Sequence, residues 1–174
     1  EPYANPIIFL FLGGFTLGLA MQRWNLHRRI ALLTLKAVGS KPRRQIAGFM
    51  LATAFLSMWV SNTATAIMML PIGLSVVAMM DSNDNPEGIR RYATALLLAI
   101  AYSASIGGIA TLIGTPPNAL LAAYLSENQG ISVGFAQWML LGVPVTVVML
   151  VLAWWWLTRR DFGLGSTAGG GEAI

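Results

Sequence analysis

Cysteine is absent from this chain, which excludes disulfides, thiolate metal sites and cysteine nucleophiles and leaves the redox compartment open. Charge is scarce as well. Only 10% of the 174 residues are charged, against roughly 25% in an ordinary soluble domain, too few to clothe a soluble globule. A soluble enzyme and a nucleic-acid binder are excluded on that ground, despite a net charge of +4. Histidine occurs once, as His27 in a basic segment, where it reads as an interfacial residue. Acids are missing from every apolar run: Glu1, Asp81, Asp84, Glu87, Glu127, Asp161 and Glu172 all lie in loops or tails. A proton relay through a membrane needs an ionisable group inside it, so proton pumping by this segment is disfavoured. The ligand sets that hold zinc are lacking, and no nucleophile–base pair stands out, so the chain does not read as an enzyme.

Apolar residues are abundant, at 56%, and they are grouped. A first uncharged stretch covers about Pro6 to Met21 and can span a bilayer as one helix, with Gly13, Gly14 and Gly18 available for close packing. Next come Arg23, Arg28, Arg29, Lys36, Lys41, Arg43 and Arg44 without an acid among them. Leu26, Ile30, Leu33 and Ala37 recur there at helical spacing, as in an amphipathic helix lying in the membrane interface. The second uncharged stretch, 45–80, would be about 54 Å long as a straight helix, against a hydrocarbon core of about 30 Å. It has to break, and Ser61-Asn62-Thr63 lies near its middle. The two arms are then roughly 24 Å each, short for a crossing, so a re-entrant hairpin is expected. A polar loop, 81–91, precedes a third over-long stretch from Tyr92 to about Leu125. Gly107-Gly108 and Gly114-Thr115-Pro116-Pro117-Asn118 occupy its centre, a density of Gly and Pro expected to interrupt a helix. Residues 134–157 form the last span, ending in Trp154-Trp155-Trp156 at the interface. The Gly-rich tail from Gly163 reads as a flexible linker or cut end. The opening Glu1-Pro2-Tyr3 has neither an initiator Met nor a basic n-region, and it reads as an interior piece rather than a signal peptide.

Lys and Arg gather on the cytoplasmic side of membrane proteins. Residues 23–44, the 81–91 loop and the segment from 158 onward are therefore expected inside, and residue 1 and the 126–133 loop outside. A re-entrant hairpin and two full crossings satisfy this rule equally.

The chemistry is expected at the two breaks. With no ionised side chain in the membrane, what remains is neutral oxygen and exposed backbone, tolerated only where protein or a wet cavity receives it. The incoming arm ends near Val60, and its free carbonyls and negative dipole end suit a small cation. The outgoing arm starts near Asn62-Thr63, and its free N–H groups suit an anion. Ser61 is a natural N-cap, and Ser57 lies one turn earlier on the same face. In the third stretch, Tyr92 to Ser105 forms one arm, Thr115 can cap the next half-helix, Pro116 suits its first position, and Asn118 lies just inside. Either break alone is also what interhelical hydrogen bonding or a packing kink produces. Two together form the pattern of a secondary-transporter site, in which a hard cation such as Na⁺ is held by hydroxyl, amide and backbone oxygens. The methionines read as packing, and Trp24, Trp59 and Trp138 as packing or interface anchors.

At Met58-Trp59-Val60-Ser61-Asn62-Thr63-Ala64-Thr65-Ala66, and again from Ser105-Ile106-Gly107-Gly108 through Gly114-Thr115-Pro116-Pro117-Asn118, the sequence resembles the divalent anion/sodium symporter family of INDY-type dicarboxylate and citrate transporters. The resemblance covers about residues 5 to 160. It implies an all-α membrane protein carrying one inverted-repeat half, with a re-entrant helical hairpin (45–80) and a broken transmembrane helix (92–125). It implies a sodium site from Ser57, Ser61, Asn62 and the Gly114 backbone. Asn62 and Thr63 would touch a substrate carboxylate, with Thr115 and Pro116 beside it. Residues 1–44 would be scaffold span and connecting interfacial helix, 45–125 half of a transport domain moving like an elevator, and 126–160 the last span. A homodimer in a bacterial inner membrane is implied too. Family members carry a second repeat with its own Ser-Asn-Thr hairpin and sodium site. Only one triplet is present here, so the chain is expected to hold half a site for a small dicarboxylate or related divalent anion. Another carrier of the same superfamily, such as a sulfate transporter or sodium/proton antiporter, stays open, as does a non-transporting membrane scaffold module.

Overall fold

A computed structural model of the chain describes residues 41–79 and 86–159 throughout and, before them, positions 9, 12, 13, 16, 19, 20, 23–25, 29, 33 and 39. The expected interfacial helix and the Gly-rich tail fall largely or wholly outside the described residues. Within the first apolar stretch the described positions 9, 12, 13, 16, 19 and 20 are helical, and Thr16 Oγ1 donates to Leu12 O at 2.7 Å.

Five helices follow: α1 (Pro42–Ser57), α2 (Asn62–Ala78), α3 (Pro86–Ile109), α4 (Pro116–Gln129) and α5 (Phe135–Arg159). Their starts are set by local chemistry. Proline stands in the first turn of α1 and of α4, where its missing N–H forfeits no helical bond. Glu87 opens α3 and pairs with Arg91 at 2.5 Å, one turn on. At the start of α5, Gln137 Oε1 accepts from the Gly134 N–H at 2.9 Å, satisfying a donor that the helix itself leaves free. α4 stops at Gly130, whose φ of +66° is the left-handed conformation glycine adopts without cost. The Gly130 N–H and the Ile131 N–H both donate to Leu125 O.

α3 is the hub, packing against α1, α2 and α5, while α1 also meets α2 and α5. The core is apolar and mid-sized: Ile46, Phe49, Met50 and Leu56 from α1, Met69 from α2, Leu96 and Ile100 from α3. A smaller cluster joins Leu112, Ala119 and Ala122 to Val133, Phe135 and Trp138. At one end of the bundle, Trp154 Nε1 donates to Arg43 O at 3.1 Å and the Tyr92 hydroxyl to Gln45 Oε1 at 2.8 Å. The starts of α1 and α3 and the end of α5 therefore lie together.

α1 has 16 residues and α2 has 17, or about 24–26 Å each at 1.5 Å per residue, the length expected of the two arms. α3 and α5, with 24 and 25 residues, are long and apolar enough to cross a membrane. They differ in surroundings. In α3, 56% of the most apolar window is buried in the protein, against 22% in α5. The outer side of α5 bears Leu140, Leu141, Val148 and Leu152, all exposed, where a water-facing helix would carry charge.

One expectation is corrected. Gly107 and Gly108 do not interrupt the third stretch; α3 begins at Pro86, before Tyr92, and runs through both glycines to Ile109. Their role is close approach. A Cβ on Gly107 would lie 2.4 Å from Ala54 O and 2.5 Å from Ala54 Cα. Both are backbone atoms that cannot swing aside, so α3 and α1 touch main chain to main chain. Gly107→Ala should therefore lower stability by about 1–3 kcal/mol, the usual cost of overpacking, whereas Gly13→Ala, with nothing within 4 Å, should be neutral. The recovery of monodisperse protein in detergent after graded heating checks the pair.

Candidate binding site where the helices are interrupted

α1 ends at Ser57 and α2 begins at Asn62. Ser61 is the N-cap of α2, its Oγ accepting from the Ala64 N–H at 3.4 Å, and Ser61 O receives the Thr65 N–H at 2.9 Å. The amides of Asn62 and Thr63, at the first two helical positions, have no intrahelical acceptor. Ser57 and Ser61 do not share a helical face as expected, because α1 has ended at Ser57. Instead Ser57 faces Asn62 across the turn: its Oγ lies 2.8 Å from Asn62 Oδ1 and 2.5 Å from Ala104 O of α3. One hydroxyl proton cannot serve both acceptors. Given to the closer Ala104 O, it leaves Ser57 Oγ and Asn62 Oδ1 side by side without a proton between them. Such a pair is relieved if the Asn62 amide turns its Nδ2 to Ser57, or if a cation draws on both oxygens.

The second interruption spans residues 110–115. Asn118, buried in the first turn of α4, donates through Nδ2 to Gly108 O at 2.9 Å and to Thr111 O at 2.8 Å. This one amide closes the loop on itself. Thr115 holds the N-cap position, as expected, but its side chain makes no cap hydrogen bond; the Asn118 N–H goes to Thr115 O at 3.1 Å instead. α5 secures the end of α3 from the other side. Thr146 Oγ1 donates to Ile106 O at 3.2 Å and Trp138 Nε1 to Ile109 O at 2.9 Å.

The two interruptions meet on glycine. A Cβ on Gly108 would fall 2.3 Å from Asn62 Oδ1, and one on Gly114 would fall 2.5 Å from Gly108 O. Asn62 and Gly114 thus both press on Gly108. Ser57, Asn62 and Gly114 are drawn to one junction, with Ser61 at the turn beside them. Thr63 and Pro116 are exposed and Thr115 is half-buried, so these three are not enclosed by the described residues.

The expected set of free carbonyls at the end of α1 is smaller than the sequence suggested. Ala54 O receives the Met58 N–H, Leu56 O receives Trp59 and Val60, and Met58 O receives Thr111 Oγ1 at 2.5 Å. Thr111 was not singled out from sequence; a lone hydroxyl between Ala110 and Leu112 was the signal available. Trp138 and Trp59, read as packing or anchors, have specific partners. Trp138 caps Ile109 O, and the Trp59 ring stacks on Phe135 with centroids 6.4 Å apart.

Residues 1–165 match a family model described as CitMHS, citrate transporter. The chain belongs to the citrate transporter family. It is also 45% identical over 164 residues to sodium-dependent dicarboxylate transporters SdcS of Staphylococcus aureus, from strains USA300 and NCTC 8325 / PS 47, covering 92% of this chain. The chain spans about a third of the length of these relatives, 32%. Membership of this transporter family makes the chain part of an integral membrane protein rather than an enzyme, in keeping with its two long apolar helices. In this citrate transporter family member, Asn118→Leu should leave Gly108 O and Thr111 O buried without donors, at about 1–3 kcal/mol for each group. A fall in melting temperature of the detergent-solubilised protein, larger than that of Asn128→Leu on the exposed side of the same helix, checks this.

Proposed function

We propose that this chain is the first half of a sodium-coupled symporter for C4-dicarboxylates or related divalent anions. The observation that carries the reading is the Ser57–Asn62 pair, two neutral oxygens 2.8 Å apart while the one hydroxyl proton has a closer acceptor in Ala104 O. Hard cations are held by oxygens of this kind, and Ser61 and the Gly114 backbone complete the sodium site in this reading. The adjoining N–H groups at Asn62 and Thr63 offer a dipole end suited to a carboxylate, with Thr115 and Pro116 beside it. The cation supplies the positive charge that no Arg or Lys brings to the junction. Sodium binding orders the two interruptions, and the anion then docks on amide ends and cation together. The sodium dependence and dicarboxylate specificity named for the Staphylococcus aureus relatives support the same chemistry.

In the whole transporter a second repeat supplies the other half of the pocket and a second sodium site. The hairpin 45–80 is re-entrant, the 92–125 segment is a broken membrane helix, and together they move as an elevator against a scaffold that includes residues 1–44, within a homodimer. Residues 23–44 and 158–174 face the cytoplasm of a bacterial inner membrane, and residue 1 faces outside.

Asn62→Ala in the full-length protein should reduce sodium-driven succinate uptake into proteoliposomes at least about tenfold, the effect of losing about 1.4 kcal/mol of binding. Uptake at the wild-type rate would reject the assignment. Sodium, but not potassium, should also raise the melting temperature of the wild-type protein and have little effect on the variant; a non-transporting scaffold would show no such difference.

A further inference from the structure

We infer that Thr111 is a positioning residue that latches the hairpin tip to the 110–115 loop and so sets the sodium affinity of the junction, an inference that rests on the sodium-site reading above. Its hydroxyl is buried and used in both directions. The proton goes to Met58 O at 2.5 Å, across 53 residues of chain, and a lone pair accepts the Gly114 N–H at 3.1 Å, the shorter arm of a bond that this N–H shares with Thr111 O at 3.4 Å. Met58 adjoins Ser57 in the tip, and Gly114 lies in the facing loop. One oxygen therefore spans the two pieces of backbone that have to converge on a single ion.

No other side-chain hydrogen bond among the described residues joins these two interruptions. Asn118 ties the loop to its own flanks, at Gly108 O and Thr111 O. Ser57 ties the tip to Ala104, in the body of α3. The contact of Asn62 with Gly108 is steric. Thr111 is thus the polar link that holds the tip at a set distance from the loop before any ion arrives. Without it, the fraction of molecules already competent for sodium falls, and the apparent dissociation constant rises in inverse proportion.

The test uses the full-length protein in proteoliposomes, measuring succinate uptake against sodium concentration. Thr111→Val, nearly isosteric but without the hydroxyl, should raise the half-saturating sodium concentration about tenfold. At saturating sodium the KM for succinate should stay within about twofold, because sodium then restores the order. Thr111→Ser, which keeps the hydroxyl, should respond to sodium as the wild type does. Thr146→Val removes a buried hydroxyl bonded to Ile106 O, away from the tip, and should leave the sodium response unchanged. A wild-type sodium response in Thr111→Val, or a defect in Thr111→Ser as large as in Thr111→Val, would overturn the latch.

Hydrogen–deuterium exchange gives a readout that does not depend on transport. The Gly114 amide should exchange faster in Thr111→Val than in the wild type or Thr146→Val, and equal rates would overturn the proposal. If Thr111→Val does not yield folded protein, Thr111→Ala, with less bulk to place, carries the same expectations. Absence of sodium-driven uptake in the wild type would reject the symporter reading, and the exchange rates would still decide whether the latch exists.

Discussion

Peptide groups released by a helix break have to find partners when water is scarce, since an unsatisfied buried donor or acceptor costs about 1–3 kcal/mol. That constraint organises this chain. Each interruption frees several backbone groups within a few residues, and a small set of neutral side chains receives them. Asn118 takes two carbonyls of the loop region. Trp138 and Thr146 take carbonyls near the end of α3, and Thr111 takes one from the hairpin tip. Among the described residues, the buried side-chain oxygens left without a partner are Thr53 Oγ1 in α1 and Thr65 Oγ1 in the first turn of α2, the two helices that flank the first interruption.

Main-chain proximity makes this economy possible. Gly107 lets α1 touch α3 at Ala54, Gly108 accepts the Asn62 side chain, and Gly114 rests on Gly108. Gly142 of α5 approaches the carbonyls of Ile109 and Ala110 in the same manner, where a Cβ would come within 2.9 Å of either oxygen. Small residues at helix contacts suit a membrane, where apolar bulk gains nothing over lipid and close van der Waals packing does the work. The exposed apolar side of α5 fits the same setting.

Much of the architecture was legible in the residues. Runs too long for one bilayer crossing demanded interruptions, Ser61-Asn62-Thr63 marked the first, and proline at the head of α4 marked the end of the second. The glycine pair misled, because Gly107 and Gly108 read locally as breakers while the helix runs through them, and their missing side chains make room for Ala54 and Asn62. The cap at Thr115 was placed correctly, but its hydroxyl role was not, since the backbone N–H of Asn118 donates to Thr115 O instead. Thr111 was overlooked because its partner Met58 is distant in sequence, and no periodicity links the two.

The sequence by itself determined the class, a helical chain too poor in charge for water, and the need for interruptions at Ser61 and ahead of Pro116, because hydrophobic length and proline are properties of local chain. Only the tertiary structure decided which of the freed groups are spent on the protein. Ser57 turning to Ala104 and Asn62, Met58 to Thr111, and Gly114 to Gly108 are choices made between segments about 50 residues apart or packed side by side. They depend on how closely α1 and α3 approach, a distance set by the absence of a methyl group on a few glycines.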